Sequence, residues 1–372
     1  MFAFAASGET AAGAFGLQAL LGSDLPIGAF IVALSVLALL PNLLGIRTAA
    51  WVSAGLLLLM VGIRWFFGLA GFFGWGATGA WSAAHLDGGV GLELFGEGGI
   101  VTVGLALAFW SFVGIEFACS LAEEVKRPHK ALPRGLILGL FGILATSLVM
   151  GLGVIGTAPL AVWRAAAEGT LGCGGDCPQL AVGQMMFGAA GHKLMALASV
   201  AATLGSLTVA YAAMPRVLYS IARDGHFFGP ISKPIGTLHP RFKTPVVATL
   251  LTFGLYLIPA LYSSVVIDWL FSAAYAWILL YVVFHVLALA NRRLRPDTER
   301  AFRGRWFGAL AGAGIVLTLV ALYYAFAGTH LAYGGRALVV LLVALVATCI
   351  SFRWSRRAAH EAAAAAVDEA HA

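Results

Sequence analysis

The chain has 372 residues, of which 60% are hydrophobic and only 11% charged, with a formal net charge of +6. Soluble globular proteins carry about 25% charged residues, and 23 Lys and Arg with 17 Asp and Glu are too few to solvate a surface of this size. That balance excludes a water-soluble enzyme, a disordered chain and a secreted disulfide scaffold, and leaves a polytopic membrane protein.

A helix needs about 20 mostly apolar residues to cross a hydrocarbon core of about 30 Å. In chain order, the segments that meet or approach this are 1–21, 26–43, 49–74, 99–122, 134–158, 192–221, 244–263, 267–290, 307–328 and 335–352. Their apolar runs are continuous and do not alternate with period two, so helices are expected and a barrel is not. The first span has no basic flank and no cleavage site, which argues against a signal peptide. Ser7, Glu9, Thr10 and Gln18 make it too polar to face lipid all round, so it is expected inside the bundle. Arg64, the basic residue of the third span, is expected to snorkel outward or to pair with an acidic group. The connections 75–98, 160–190 and 223–243 are too short to hold a soluble domain. The expected organisation is one transmembrane domain, 1–352, and an Ala-rich cytoplasmic tail, 353–372.

Inner loops of membrane proteins are rich in Lys and Arg. All but four of the 23 basic residues fall in every second connection or in the tail; the exceptions are Arg64, Arg164, Lys193 and Arg336. The loop 75–98 holds His85, Asp87, Glu93 and Glu97 and no Lys or Arg. This segregation predicts a multi-pass protein of the plasma (inner) membrane with both termini cytoplasmic. The positive charge is then a topology signal with some contact to anionic lipid, and nucleic acid is not an expected partner.

The fourth span contains Phe109, Trp110, Ser111, Phe112, Val113 and Gly114, then Glu116 near the middle of an apolar segment. A carboxylate there must be protonated, paired or facing water. The glycine lets the helix open and expose peptide groups, as discontinuous helices do at transporter midplanes. The aromatic residues suit an organic cation or a lid over a ligand. A kinked helix with packed aromatics and a paired Glu116 accounts for the same residues, and both readings stand on spacing alone.

Three motifs narrow the choice. WSFVGIE leads into Glu124, Lys126, Pro128, Pro133 and Arg134; RVLYSIARDGHFF at 216–228 is followed by Thr244 and Pro245; and Asn42–Leu–Leu–Gly45–Ile–Arg47 links two spans. In register with the ten spans, these resemble the amino acid–polyamine–organocation (APC) permeases. The resemblance implies an all-α, leucine-transporter-like inverted-repeat bundle, with the ten spans matching family helices three to twelve. The family's first two helices have no counterpart, and a truncated record is expected. The DNA upstream of Met1 distinguishes that from a remnant gene.

The resemblance implies that Trp110 is the aromatic gate, that Ser111, Val113 and Gly114 line the substrate site, and that Glu116 couples the site to neighbouring helices. In Gly205–Ser206–Leu207 the Ser206 hydroxyl would face substrate or, with Thr203, an ion. A small residue for close helix packing is the favoured alternative for Ser206. Ser7 is a further candidate for the cavity. Where some members carry a helix-five lysine, this chain has Met60. A coupling proton, a sodium ion and plain exchange therefore all remain open.

Cys173 and Cys177, four apart in an outer loop, form a small disulfide or two free thiols. No CxxC, HExxH or phosphate-loop pattern is present, so no metal or cofactor is expected. His285 reads as a packed, hydrogen-bonded residue. The function expected is secondary active transport of an amino acid or related amine, a small-molecule substrate moved across the lipid bilayer. A non-transporting remnant or subunit is the alternative, and a membrane-embedded enzyme follows behind it.

Overall fold

The structure is a computed structural model that describes residues 2–86, 108, 111–166, 178–226, 231–241, 243–262, 266–298, 300, 304 and 306–327, with isolated positions 342, 346, 350 and 353. Its helices are α1 (Phe2–Leu21), α2 (Ile27–Leu43), α3 (Ile46–Phe73), α4 (Phe117–Ser120), α5 (Pro128–Ile155), α6 (Leu160–Ala165), α7 (Pro178–Arg223), α8 (Ser232–Ile235), α9 (Val246–Ala260), α10 (Val266–Leu294) and α11 (Phe307–Ala327). Among the described residues there is no strand, and helices satisfy their own peptide groups, as spanning segments must. Windows within α3, α5, α7 and α10 are long and apolar enough to cross a membrane, while α2, α9 and part of α11 are shorter apolar helices. Leu58 on α3 and Leu138 on α5 are 73% and 71% exposed, the outward apolar surface that a bilayer covers.

Helix α1 lies inside the bundle, as its polar residues predict. Ala5, Ala6, Ser7, Thr10, Ala11 and Ala14 are buried, and the helix packs on α2, α7, α9 and α10. Small residues set the distance to α7: a side chain on Gly13 would overlap Thr203, and one on Gly16 would press on Ser199. Without a hydrophobic drive between helices in lipid, such close backbone approach supplies the dispersion contacts. Buried Asn42 at the end of α2 donates to the Ala38 carbonyl at 3.1 Å and to the Thr208 carbonyl of α7 at 3.0 Å, fixing α2 on α7.

Helices α3 and α5 cross in the same way. A Cβ on Gly68 would overlap the Val149 carbonyl, and one on Gly153 would overlap the Gly68 carbonyl. Trp65 donates its indole N–H to Thr146 Oγ1 at 3.0 Å across the same seam. Gly153→Leu is expected to cost about 1–3 kcal/mol by overpacking, read as a lower melting temperature in detergent. Gly142→Leu, where the added side chain meets nothing within 4 Å, leaves it unchanged. Equal melting temperatures for the two variants would contradict this crossing.

Three expectations need correction. Residues 178–186, read as part of a connection, are helical. Phe187 and Gly188 leave helical geometry, with Gly188 at φ +60°, and the chain doubles back so that Gly183 and Gly191 meet backbone to backbone. Helix α5 begins at Pro128, six residues before the expected 134, because proline is well placed in a first turn. The expected span 99–122 is not continuous: after helical Ser111 and Phe112, residues 113–116 form turns. The tenth span lies outside the described residues apart from Leu342, Val346 and Ile350, which are helical. Of the tail, Arg353 alone is described, and Cys173 and Cys177 lie outside. Arg64 is exposed on α3. His285 is hydrogen-bonded to the Tyr281 carbonyl at 2.6 Å and packs against Gly314 of α11, as expected of a packed histidine.

Candidate functional site

Gly114 has φ +106°, a region that an L side chain rarely occupies and that glycine enters without a Cβ penalty. Beyond it the chain advances by tight turns: the N–H groups of Phe117, Ala118 and Cys119 donate to the carbonyls of Gly114, Ile115 and Glu116 at 3.1, 3.3 and 3.0 Å. These are i to i+3 bonds in place of an α-helical ladder.

Glu116 holds this opened segment. Its Oε2 accepts the Gly114 N–H at 3.1 Å and the Tyr281 hydroxyl at 3.2 Å, and its Oε1 accepts the Trp277 indole N–H. Trp277 and Tyr281 are four residues apart, hence on one face of α10. Val113, Phe117 and Tyr281 pack around buried Ala5, Ala273 and Trp277, with the Phe117 and Trp277 rings edge to face at 6.5 Å. One carboxylate therefore ties the opened strand of backbone to α10 and, through this cluster, to α1.

Beside the opening lies a cavity of about 620 Å³ walled by α1, α3, α5, α7, α9, α10 and the 111–117 segment. Ser111, Val113, Gly114, Thr203 and Ser206 all line it, so most of the residues singled out in the sequence converge on one space. Met60, at the position of the absent lysine, lines it as well. Trp110 lies outside the described residues. Ser7 departs from expectation: it is buried against α9, its hydroxyl donating to the Tyr256 carbonyl at 2.8 Å, and it is not on the cavity wall. Its neighbours on α1, Ala5, Ala6 and Glu9, take that place.

Glu9 is the site residue that the sequence reading left unassigned. It lines the cavity, and its Oε2 accepts the Ser206 hydroxyl at 2.7 Å. Thr203 Oγ1 donates to the Glu9 main-chain carbonyl at 3.2 Å. The available signal was the rule that an ionisable residue within a span is a functional candidate by default. Tyr256 also lines the cavity; its ring lies 5.2 Å from that of Tyr211, and both are buried. No group of His, Cys, Asp and Glu that could hold a metal occurs among the described residues.

At the far end of the opened segment, two motifs meet. Glu124 forms an ion pair with Arg216 of α7, whose guanidinium also donates to the Ala212 carbonyl. Residues 111–124 are thus fastened to α10 at Glu116 and to α7 at Glu124.

Comparison with known proteins identifies the family. A family model described as "Amino acid permease" matches residues 1–354. The branched-chain amino acid permease BcaP of Bacillus subtilis is 30% identical over 269 residues, 70% of this chain and 52% of that protein. The serine/threonine exchanger SteT of B. subtilis is 27% identical over 191 residues, 51% of this chain and 41% of its own. The vacuolar cationic amino acid transporter 4 of Arabidopsis thaliana is 28% identical over 163 residues, 42% of this chain and 24% of its own. Matches of this kind cover about half or less of each relative's length. With a helical membrane bundle, a span opened at Gly114 and a match over nearly its whole length, the chain belongs to the amino acid permease family.

Proposed function

We propose that this protein takes part in secondary active transport of an amino acid or related amine by alternating access across the plasma membrane, with both termini in the cytoplasm. The observation that carries the reading is the helix opened at Gly114 on the wall of a 620 Å³ cavity, a volume within the range of small-ligand sites. Peptide groups freed from an α-helical ladder suit the ammonium and carboxylate of an amino acid, as at the broken helices of secondary transporters. In this reading Ser111, Val113 and Gly114 contact substrate and Trp110 closes over it. Ser206 and Thr203 face the substrate or a coupling ion. Glu116 transmits movement of the opened segment to α10, because its three partners join the two elements.

The amino acids named for the relatives, branched-chain, serine and threonine, and cationic, set the panel for the test. The full-length gene product in liposomes is expected to accumulate or exchange at least one of radiolabelled leucine, serine and arginine. Trp110→Ala is expected to weaken that uptake by roughly tenfold, the order of 1–2 kcal/mol for a lost aromatic contact, with membrane insertion intact. Uptake of none of the panel by wild type, or unchanged kinetics in the variant, counts against the reading or the gate respectively.

A further inference from the structure

The Ser206 hydroxyl lies within reach of two acceptors, Glu9 Oε2 at 2.7 Å and the Thr203 carbonyl at 3.2 Å, yet it owns one proton. When Glu9 is ionised, that proton goes to the carboxylate. When Glu9 is protonated at Oε2, the carboxyl donates to Ser206 Oγ and the hydroxyl turns to the Thr203 carbonyl. Both charge states keep the Glu9–Ser206 hydrogen bond, with its direction reversed, so a proton can come and go without orphaning either side chain, which otherwise costs about 1–3 kcal/mol.

The surroundings favour such a role. Among the described residues that line the cavity, Glu9 and Tyr256 are the titratable ones, and no Lys, Arg or His there offsets the carboxylate. Tyr256 is 2% exposed, and its hydroxyl has no hydrogen-bond partner among the described residues. Of the elements packed on α1, α2 carries no titratable residue and α9 carries Tyr256. Helix α7 carries His192, Lys193, Tyr211, Arg216, Tyr219 and Arg223, and α10 carries Asp268, Tyr275, Tyr281, His285, Arg292 and Arg293. Of these α7 and α10 residues, those with described side chains are not on the cavity wall. Glu116, the other carboxylate of the region, is committed to Gly114, Trp277 and Tyr281.

We propose that Glu9 is a proton-binding site of the transport cycle, with Ser206 and Thr203 as its hydrogen-bond relay. The carboxylate takes one proton from water in the cavity when the site faces one side and returns it to water when the site faces the other. Because a proton shifts the conformational equilibrium only if the two states bind it differently, the coupling lies in the α1–α7 contact that Glu9 and Ser206 form. This inference rests on the transport reading above.

The test uses infrared difference spectra and uptake with the full-length gene product in liposomes. Acidification is expected to raise a protonated-carboxyl C=O band that Glu9→Gln lacks. In Glu9→Gln, uptake of radiolabelled leucine, serine or arginine is expected to lose its dependence on a pH gradient. A band unchanged in Glu9→Gln, or gradient-driven accumulation retained by it, overturns the proposal. If Glu9→Gln does not fold, Ser206→Ala is expected to shift the midpoint of the same band, and an unmoved midpoint overturns the proposal equally. Should wild type move none of the three amino acids, the transport reading falls, and the band alone then decides whether Glu9 titrates.

Discussion

Gly114→Val is expected to remove most uptake while the protein still inserts and folds. At φ +106° a β-branched side chain meets the backbone in a region where non-glycine residues cost about 1–3 kcal/mol each. That corresponds to roughly a 5- to 150-fold loss in the population of the opened segment. The chain can relieve the strain by re-forming helix, but the Gly114 N–H then leaves Glu116 Oε2, and the remaining bonds to Trp277 and Tyr281 lose their register. Space is not the limiting factor, because the nearest atoms to an added Cβ belong to the Phe117 ring at 3.8 Å. Gly114→Ala, with a smaller side chain and the same φ, should fall between valine and wild type. Uptake kinetics of Gly114→Val equal to wild type would show that transport does not use the opened backbone.

A comparable loss is expected at Glu116. Glu116→Ala leaves the Gly114 N–H, the Trp277 indole and the Tyr281 hydroxyl without their shared acceptor. A buried donor stranded this way costs about 1–3 kcal/mol, so uptake should drop below detection, with a lower melting temperature in detergent. Glu116→Gln is the sharper variant. It keeps one acceptor oxygen but loses the charge-assisted bonds, which are about twice as strong as neutral ones. The loss of about 1.4 kcal/mol should lower turnover by about tenfold. Equilibrium binding should change less, because Glu116 bonds to the protein and not to the cavity. An affinity loss with turnover preserved would make Glu116 a direct ligand and contradict its role as a link.

The legible part of the fold and the illegible part have different physical origins. Hydropathy fixes where a helix must run, so α1, α2, α3, α9, α10 and α11 begin and end within four residues of expectation. The break at Gly114 was legible because a glycine beside a carboxylate in an apolar run has few structural solutions. The turn at Phe187 and Gly188 was not: PQLAVGQMMF is too short to read as a span, and its helix exists through the Gly183–Gly191 contact. Ser7 was assigned to the wrong side of α1 because hydropathy gives no rotation about the helix axis. Glu9 and Ser206 are 197 residues apart, and only the packing of α1 on α7 brings them together. The same holds for Glu116 with Trp277 and Tyr281, where the i, i+4 spacing offers a face but does not name what the face meets. The pairing of Glu124 with Arg216 joins two motifs that the sequence presents as separate loops.

Hydrogen–deuterium exchange across residues 111–124 of the full-length gene product, with and without a saturating transported amino acid, tests the opened helix most directly. If the peptide groups around Gly114 receive the substrate, exchange in this segment slows on binding while the outward faces of α3 and α5 stay unchanged. Exchange there that is indifferent to a bound, transported substrate would contradict it.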